Sequence, residues 1–342
     1  MKTTWPADFG INTAPGEIAC VLCARQCVLK DGENGFCRVR GVRGGQLVTF
    51  SGNAVSASHV DPVEKKPLYH FFPGCKTFSI GTLGCNFDCA WCQNDSISRD
   101  FHDGAHLRHV TSKEVVQAAL AAGCKAIAYT YNEPTLLCEL ISKCSAEASS
   151  YGLKNILVSN GYQNRQSIGF FLDRMDAANI DLKTFRDATS RRFCGVPLKP
   201  VLDNLRLFAR SSVWLEVTTL IIPGINDSPA ELNDIASFIA GELGPSTPWH
   251  ISAFFPARHM SEALPTSTDT IRAAAEIGKS AGLQFIYPGN TFLPGTTFCP
   301  SCGSPLIERK GYNAVRAKGF NGVCPACGKS IPGVWDPPTE ET

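Results

Sequence analysis

The chain has 342 residues, of which 44% are hydrophobic and 18% charged, with a formal net charge of +1. The composition supports a buried core and excludes intrinsic disorder, and the near-neutral charge excludes nucleic-acid binding driven by bulk charge. The length corresponds to about two domains. No run approaches the roughly 18 apolar residues of a membrane span. The opening MKTTWPADFG has no apolar secretion core, so a cytoplasmic protein with no membrane attachment is expected.

In chain order, residues 1–50 read as irregular, glycine-rich backbone with short strands such as 47–50. From residue 77 the texture alternates between strands and helices. TFSIGT (77–82), AIAYT (126–130), NILVS (155–159), AANID (177–181), WLEVTTLII (214–222) and WHISAF (249–254) are short, apolar and rich in β-branched or aromatic residues, the pattern of buried parallel strands. Between them, Thr111–Glu114 reads as a capping box whose helix stops at Gly123. Pro134 marks a helix start, with Leu137, Leu140, Ile141 and Cys144 on one face as far as Gly152. Ser228–Glu231 reads as a second capping box. An α/β fold with a parallel sheet follows, either a partial barrel or doubly wound, and either type binds ligands at the carboxyl ends of its strands. From about residue 294 the chain is again irregular and ends in the acidic tail DPPTEET.

Sixteen cysteines are far more than such a chain needs. A chain of this size with an ordinary apolar content requires no disulfide framework, and the spacing points to metal. Cys75, Cys124, Cys138, Cys144 and Cys194 are scattered and read as small buried hydrophobes. The rest form three clusters, which divide the chain into a cysteine-rich segment (1–72), a core (73–292) and a C-terminal ribbon (293–342).

In the central cluster, Cys85, Cys89 and Cys92 are spaced x3 and x2 just after a strand. Three thiolates on one loop can share a metal centre. A tetrahedral zinc would need a fourth ligand from elsewhere, whereas a four-iron cluster would be left with one open iron. C-x3-C-x2-C with Trp91 before the last cysteine resembles the signature of radical S-adenosylmethionine (SAM) enzymes. The resemblance implies a [4Fe–4S] cluster on three cysteines and SAM chelated to the fourth iron. Reductive cleavage of SAM would yield a 5′-deoxyadenosyl radical that abstracts hydrogen.

Polar residues at the predicted strand ends agree with this. Asn132 and Glu133 follow the second strand, with Glu133 placed like the superfamily's carboxylate against the SAM ammonium, or else simply an acid at a helix start. Ser159-Asn160-Gly161 and Asp181-Leu-Lys183 resemble elements of the pyruvate formate-lyase activating enzyme group. Trp91, Asn132, Glu133, Ser159, Asn160, Asp181 and Lys183 are therefore the candidate cofactor contacts. His250, in the sixth strand, is the candidate catalytic residue, with a core histidine as the other reading.

HVDPVEKKPLYHFFPG (59–74), GTLGCNFDCAWCQN (81–94), NIDLKTF (179–185) and TTLIIPGINDS (218–228) resemble the radical SAM member of the AmmeMemoRadiSam system over nearly the whole chain. That family implies a partial (β/α)6 barrel and association with Memo-like and other partner proteins. FPARH (255–259) departs from the family's form, which carries histidine, aspartate and tyrosine.

Cys299-Pro-Ser-Cys302-Gly and Cys324-Pro-Ala-Cys327-Gly form a paired knuckle for zinc or rubredoxin-like iron. Cys20, Cys23, Cys27 and Cys37 suffice for a structural zinc or an auxiliary iron–sulfur cluster. The expected function is radical SAM chemistry on an unidentified substrate, fed by an electron donor such as flavodoxin or ferredoxin. An activating enzyme for a glycyl-radical partner is the nearest alternative, and a metal-stabilised binding scaffold the alternative from another class.

Overall fold

The computed structural model describes residues 4–101 and 107–335; the acidic tail lies outside them. Its centre is an eight-stranded sheet whose spatial order follows the chain. The strands are β1 (Ala57–Pro62), β2 (Lys76–Gly81), β3 (Ala126–Tyr129), β4 (Lys154–Ser159), β5 (Ala177–Asp181), β6 (Trp214–Ile221), β7 (Trp249–Ala253) and β8 (Ile286–Gly289). β1 runs antiparallel to β2, and every other neighbouring pair is parallel, so the sheet is mixed. The six expected strands are all present. β8 is a seventh parallel strand that sequence reading missed, because Pro288 and Gly289 look like a turn; Pro288 is tolerated at this edge. β1 comes from the segment expected to precede the core.

β3 reaches its helical segment through residues 130–133, whereas β2 and β7 reach helices Ser112–Ala121 and Thr268–Ser280 through longer segments, and β8 leads directly into the C-terminal region. The Thr111 capping box forms in both directions, with Thr111 accepting from the Glu114 N–H and the Glu114 carboxylate from the Thr111 N–H. Gly123 then takes the left-handed conformation that ends the helix. After Pro134 a 3-10 turn runs into helix Cys138–Ser150, and Leu137, Leu140, Ile141 and Cys144 are all buried. Ser228 caps helix Pro229–Phe238, but the return half of the expected box is absent. Glu231 instead turns inward and accepts from the Phe185 N–H at 2.8 Å and from the Thr184 hydroxyl.

Two three-stranded antiparallel sheets build the N-terminal region, and a third builds the C-terminal one from Thr297–Phe298, Pro305–Lys310 and Asn313–Arg316. The C-terminal sheet docks through an apolar cluster that includes Tyr69, Tyr287, Leu306 and Phe320. No helix among the described residues is long and apolar enough to cross a membrane.

Candidate active site

β2 ends at Gly81, and residues 82–92 leave the sheet as a loop with no regular repeat. Such a loop needs external partners for its backbone, and side chains from neighbouring strand ends supply them. The Asn132 amide donates to the carbonyls of Thr82 at 3.0 Å and Gly84 at 2.7 Å, and accepts from the Thr82 N–H. The Asn160 amide donates to Asn86 Oδ1 at 2.7 Å. From the far side, Arg258 donates to the Cys89 carbonyl at 2.7 Å and pairs with Asp88 at 2.8 Å. The His259 N–H reaches the Ala90 carbonyl. The FPARH segment therefore clamps the cysteine loop, a role that no local pattern announces.

The loop forms the floor of a cavity of about 540 Å3 at the carboxyl ends of the strands. Cys85, Cys89, Cys92 and Trp91 line it. So do Asn132 and Glu133 beyond β3, Ser159 and Asn160 at the end of β4, and Asp181 and Lys183 at the end of β5. The structure thus brings together every sequence-predicted residue of the central site except His250. Sequence reading missed Tyr131, Ser252 and Asn290 in the same wall, since isolated polar residues carry no spacing signal.

The lining residues differ in what their polar atoms already do. Glu133 is buried, and its carboxylate accepts from the Thr135 N–H at 3.0 Å, the Thr135 hydroxyl, the Ser159 hydroxyl at 2.8 Å and the Asn160 N–H at 2.9 Å. Four donors match the roughly four acceptor sites of a carboxylate. Burial raises its pKa against the pull of these donors. Glu133 is thus the helix-capping acid of the second reading, and also a stitch between the ends of β3 and β4. Asn132 and Asn160 are likewise engaged with the cysteine loop. By contrast the Trp91 Nε1–H is buried with no partner. Asp181 and Lys183 form an ion pair at 2.7 Å facing the cavity. Burial opposes the Lys183 charge, but Asp181 and the Cys89 sulfur beside it push its pKa up.

Cys194, one of the scattered cysteines, stands beside Cys89, and the two thiols shift each other's pKa in opposite directions. It is a small buried residue, as expected, but the fold sets it behind the loop. The cavity wall itself offers three thiols and no fourth. That donor set fits a four-iron cluster with one iron open to a ligand, and the unpartnered indole N–H fits a polar ligand above it.

His250 lies on β7, buried, with Nε2 2.6 Å from Glu216 Oε2. Glu216 also takes the backbone N–H groups of Tyr69 and His70 and the Trp214 indole N–H. Burial pushes the Glu216 carboxyl up, but His250 and these donors outweigh it and hold it below its ordinary value. His250 and Tyr69 line a second cavity of about 370 Å3, and Lys65, Pro67, Ser252 and Asn290 border both cavities. The second cavity's far wall belongs to the C-terminal region. There Arg309 donates to the Tyr69 carbonyl at 2.7 Å and faces Glu64 at 3.6 Å.

Farther along that region, the Cys299–Cys327 and Cys302–Cys324 sulfur pairs stand 3.6 and 3.7 Å apart. All four sulfurs lie within 4.8 Å of one another. Gly303 and Gly328, each one residue past a knuckle, adopt φ of 72° and 74°, which glycine allows without strain. The quartet can hold a metal ion.

Residues 79–239 match the Radical SAM superfamily. The chain is 36% identical over 321 residues to an uncharacterized protein of Methanocaldococcus jannaschii, covering 92% of this chain and 95% of that protein. Among solved structures, Streptococcus suis SuiB bound to S-adenosylmethionine has a similar fold, with a TM-score of 0.50 at 10% identity. That alignment covers 67% of this chain and 53% of SuiB. A domain of pyruvate-formate lyase-activating enzyme from Bacteroides vulgatus is 20% identical with a TM-score of 0.42, covering 48% of this chain and 99% of that domain.

Proposed function

This chain belongs to the radical SAM superfamily of SAM-dependent iron–sulfur enzymes, and from that premise we propose that it cleaves SAM reductively above Cys85, Cys89 and Cys92 and abstracts hydrogen from a substrate in the adjoining cavity. One observation carries the reading: three thiols and seven predicted polar or aromatic residues from four separate segments line a single cavity at the strand ends. When bound, the [4Fe–4S] cluster and SAM supply an electron and a 5′-deoxyadenosyl radical.

The chain's own residues divide the remaining work. Asn132, Glu133, Ser159 and Asn160 fix the walls and the cysteine loop, which sets the positions of the three thiolates. Trp91 Nε1, Asp181 and Lys183 offer the polar groups for SAM: a donor, an acceptor for hydroxyl or ammonium groups, and a cation for its carboxylate. Lys65, Pro67, Ser252 and Asn290, at the junction of the cavities, set the path between SAM and substrate. His250, oriented by Glu216, is the candidate acid–base group at the substrate end.

In the same reading this is the radical SAM component of an AmmeMemoRadiSam system, and the C-terminal quartet holds zinc. Its sulfur spacing supports a single tetrahedral ion, zinc or rubredoxin-like iron, because metal–sulfur bonds of about 2.3 Å in a tetrahedron place sulfurs about 3.8 Å apart. A second reading, action on a residue of a partner protein, is favoured by Phe255 and Phe292. Both line the second cavity while 50% and 109% exposed, as an apolar docking rim would be.

The test is anaerobic. The reconstituted protein receives dithionite and SAM, and 5′-deoxyadenosine is measured. Its formation, and its loss in Cys89→Ala, are expected. A fully loaded cluster that yields none, with small-molecule candidates or with partner proteins added, would sink the reading.

A further inference from the structure

The N-terminal cysteines come from two strands, the connection between them and the following loop, and meet in one enclosed cavity. Cys20 ends strand Glu17–Cys20, Cys27 begins strand Cys27–Lys30, and the two are paired in antiparallel register. Cys23 sits in the connection between them, and Cys37 returns from the next loop. All four line the same cavity, and none is in a disulfide. Leu22, Leu29 and Leu136 complete an apolar wall.

Two polar groups in that wall are unpartnered. Arg40 is 1% exposed and Asn86 is fully buried, and neither Arg40 Nε nor Asn86 Nδ2 has a hydrogen-bond acceptor. Such orphaned donors are costly to bury. An anionic occupant with sulfur acceptors would satisfy both. Four thiolates around either zinc or an iron–sulfur cluster carry that negative charge, so charge does not choose between them.

Spacing does, and the molecule contains its own gauge. A single zinc ion draws four sulfurs to about 3.8 Å of one another, and the C-terminal quartet is built to that measure. Among the described residues, that quartet is the group whose ligand atoms gather within 4.8 Å. Cys20, Cys23, Cys27 and Cys37 share a cavity but are set wider than this. So are Cys85, Cys89 and Cys92, which face the catalytic cavity. A four-iron cluster gives each thiolate its own iron, and so requires sulfurs farther apart than a mononuclear ion does.

We propose that Cys20, Cys23, Cys27 and Cys37 hold a second, fully ligated [4Fe–4S] cluster. With no open iron it has no place for SAM, so it is not a second catalytic centre. It lies directly behind the first. Asn86, whose amide reaches the cage, is the residue after Cys85, and its carbonyl is held by Arg25 Nε at 2.6 Å. Gly84, the residue before Cys85, approaches the Cys37 backbone so closely that an added Cβ would stand 2.7 Å from the Cys37 carbonyl oxygen.

Iron, sulfide and zinc are to be counted in the full chain, purified anaerobically after iron and sulfide reconstitution. The expected content is about eight irons, eight sulfides and one zinc per chain. About four irons, with either one or two zincs, would overturn the proposal. A Cys85→Ala/Cys89→Ala/Cys92→Ala variant should keep about four irons and visible absorbance, and adding Cys23→Ala and Cys37→Ala should remove them. A triple variant that is folded by circular dichroism and free of iron would also overturn it. If 5′-deoxyadenosine forms from a protein with four irons and two zincs, the catalytic reading stands and the cage reading falls.

Discussion

The carboxylate of Glu133 receives the backbone N–H of Asn160 at 2.9 Å, so an acid beyond β3 fastens the turn that ends β4. One side chain thereby couples two walls of the strand-end cavity. The Ser159 hydroxyl on the other carboxylate oxygen completes the joint.

Glu133→Gln keeps the shape but replaces one acceptor oxygen by an N–H2 group facing donors. Leaving buried donors unmatched costs about 1–3 kcal/mol. SAM affinity should fall by about tenfold or more, because the Asn160 turn is displaced and the negative charge is lost. Ser159→Ala removes one donor to Glu133 and also the acceptor of the Gly161 N–H and the Gln163 amide, so it should cost about 1–3 kcal/mol of stability while the Glu133 charge, and with it most of the SAM affinity, is kept. Equilibrium dialysis with SAM, alongside anaerobic denaturant titration, separates the two effects. Unchanged SAM affinity in Glu133→Gln would mean that the joint is purely structural.

Asn160 joins that turn to the cysteine loop through Asn86 Oδ1. Asn160→Ala leaves this buried oxygen with only the Cys85 thiol at 3.9 Å, again at about 1–3 kcal/mol, and frees the segment after Cys85. Cluster occupancy after reconstitution should fall, with 5′-deoxyadenosine yield dropping by about tenfold per chain. Iron quantification is the control: full occupancy with a low yield would place the effect on SAM rather than on the loop.

These couplings show where sequence reading succeeds and stops. The six strand segments were legible because burial on both faces of a parallel sheet demands unbroken β-branched and aromatic runs. The cavity residues were legible because strand ends converge in any such sheet, so a polar motif after each strand is already a spatial statement. Arg258 was not legible. Its partners, the Cys89 carbonyl and Asp88, lie far away in the chain, and no periodicity encodes a long-range clamp. β8 was hidden by its own Pro288, and Cys194 looked isolated until the fold set it against Cys89.

That last contact makes a redox prediction. A thiol donating to a cluster sulfur stabilises the extra electron, so with the proposed cluster on Cys85, Cys89 and Cys92 the neighbouring Cys194 thiol is expected to raise its potential. Cys194→Ala should shift the potential to more negative values with iron content unchanged. Anaerobic spectroelectrochemistry reads the shift directly, and an unchanged or raised potential would refute the assignment of donor and acceptor.

His70 ties the C-terminal region to the core, and its protonation state follows from its partners. Nδ1 lies 2.7 Å from the Pro332 carbonyl, which can only accept, so Nδ1 carries the hydrogen. Nε2, 2.6 Å from the Tyr287 hydroxyl, then accepts, and the imidazole is neutral. Burial, against the nearby Glu216 charge, lowers its pKa to about 4. The unfolded chain, with an ordinary histidine near 6.5, binds the extra proton first. Stability is therefore full above pH 6.5 and is lost as pH falls towards 4, by about 3 kcal/mol at most. Glu216, held below its ordinary value, adds to the loss only at still lower pH. Acid also releases thiolate-bound metal, so the quantity to measure is the difference between wild type and His70→Gln in denaturant midpoints from pH 7.5 to 5. The variant should be less stable at pH 7.5 and show the weaker pH dependence. Parallel curves would mean that His70 does not change protonation on unfolding.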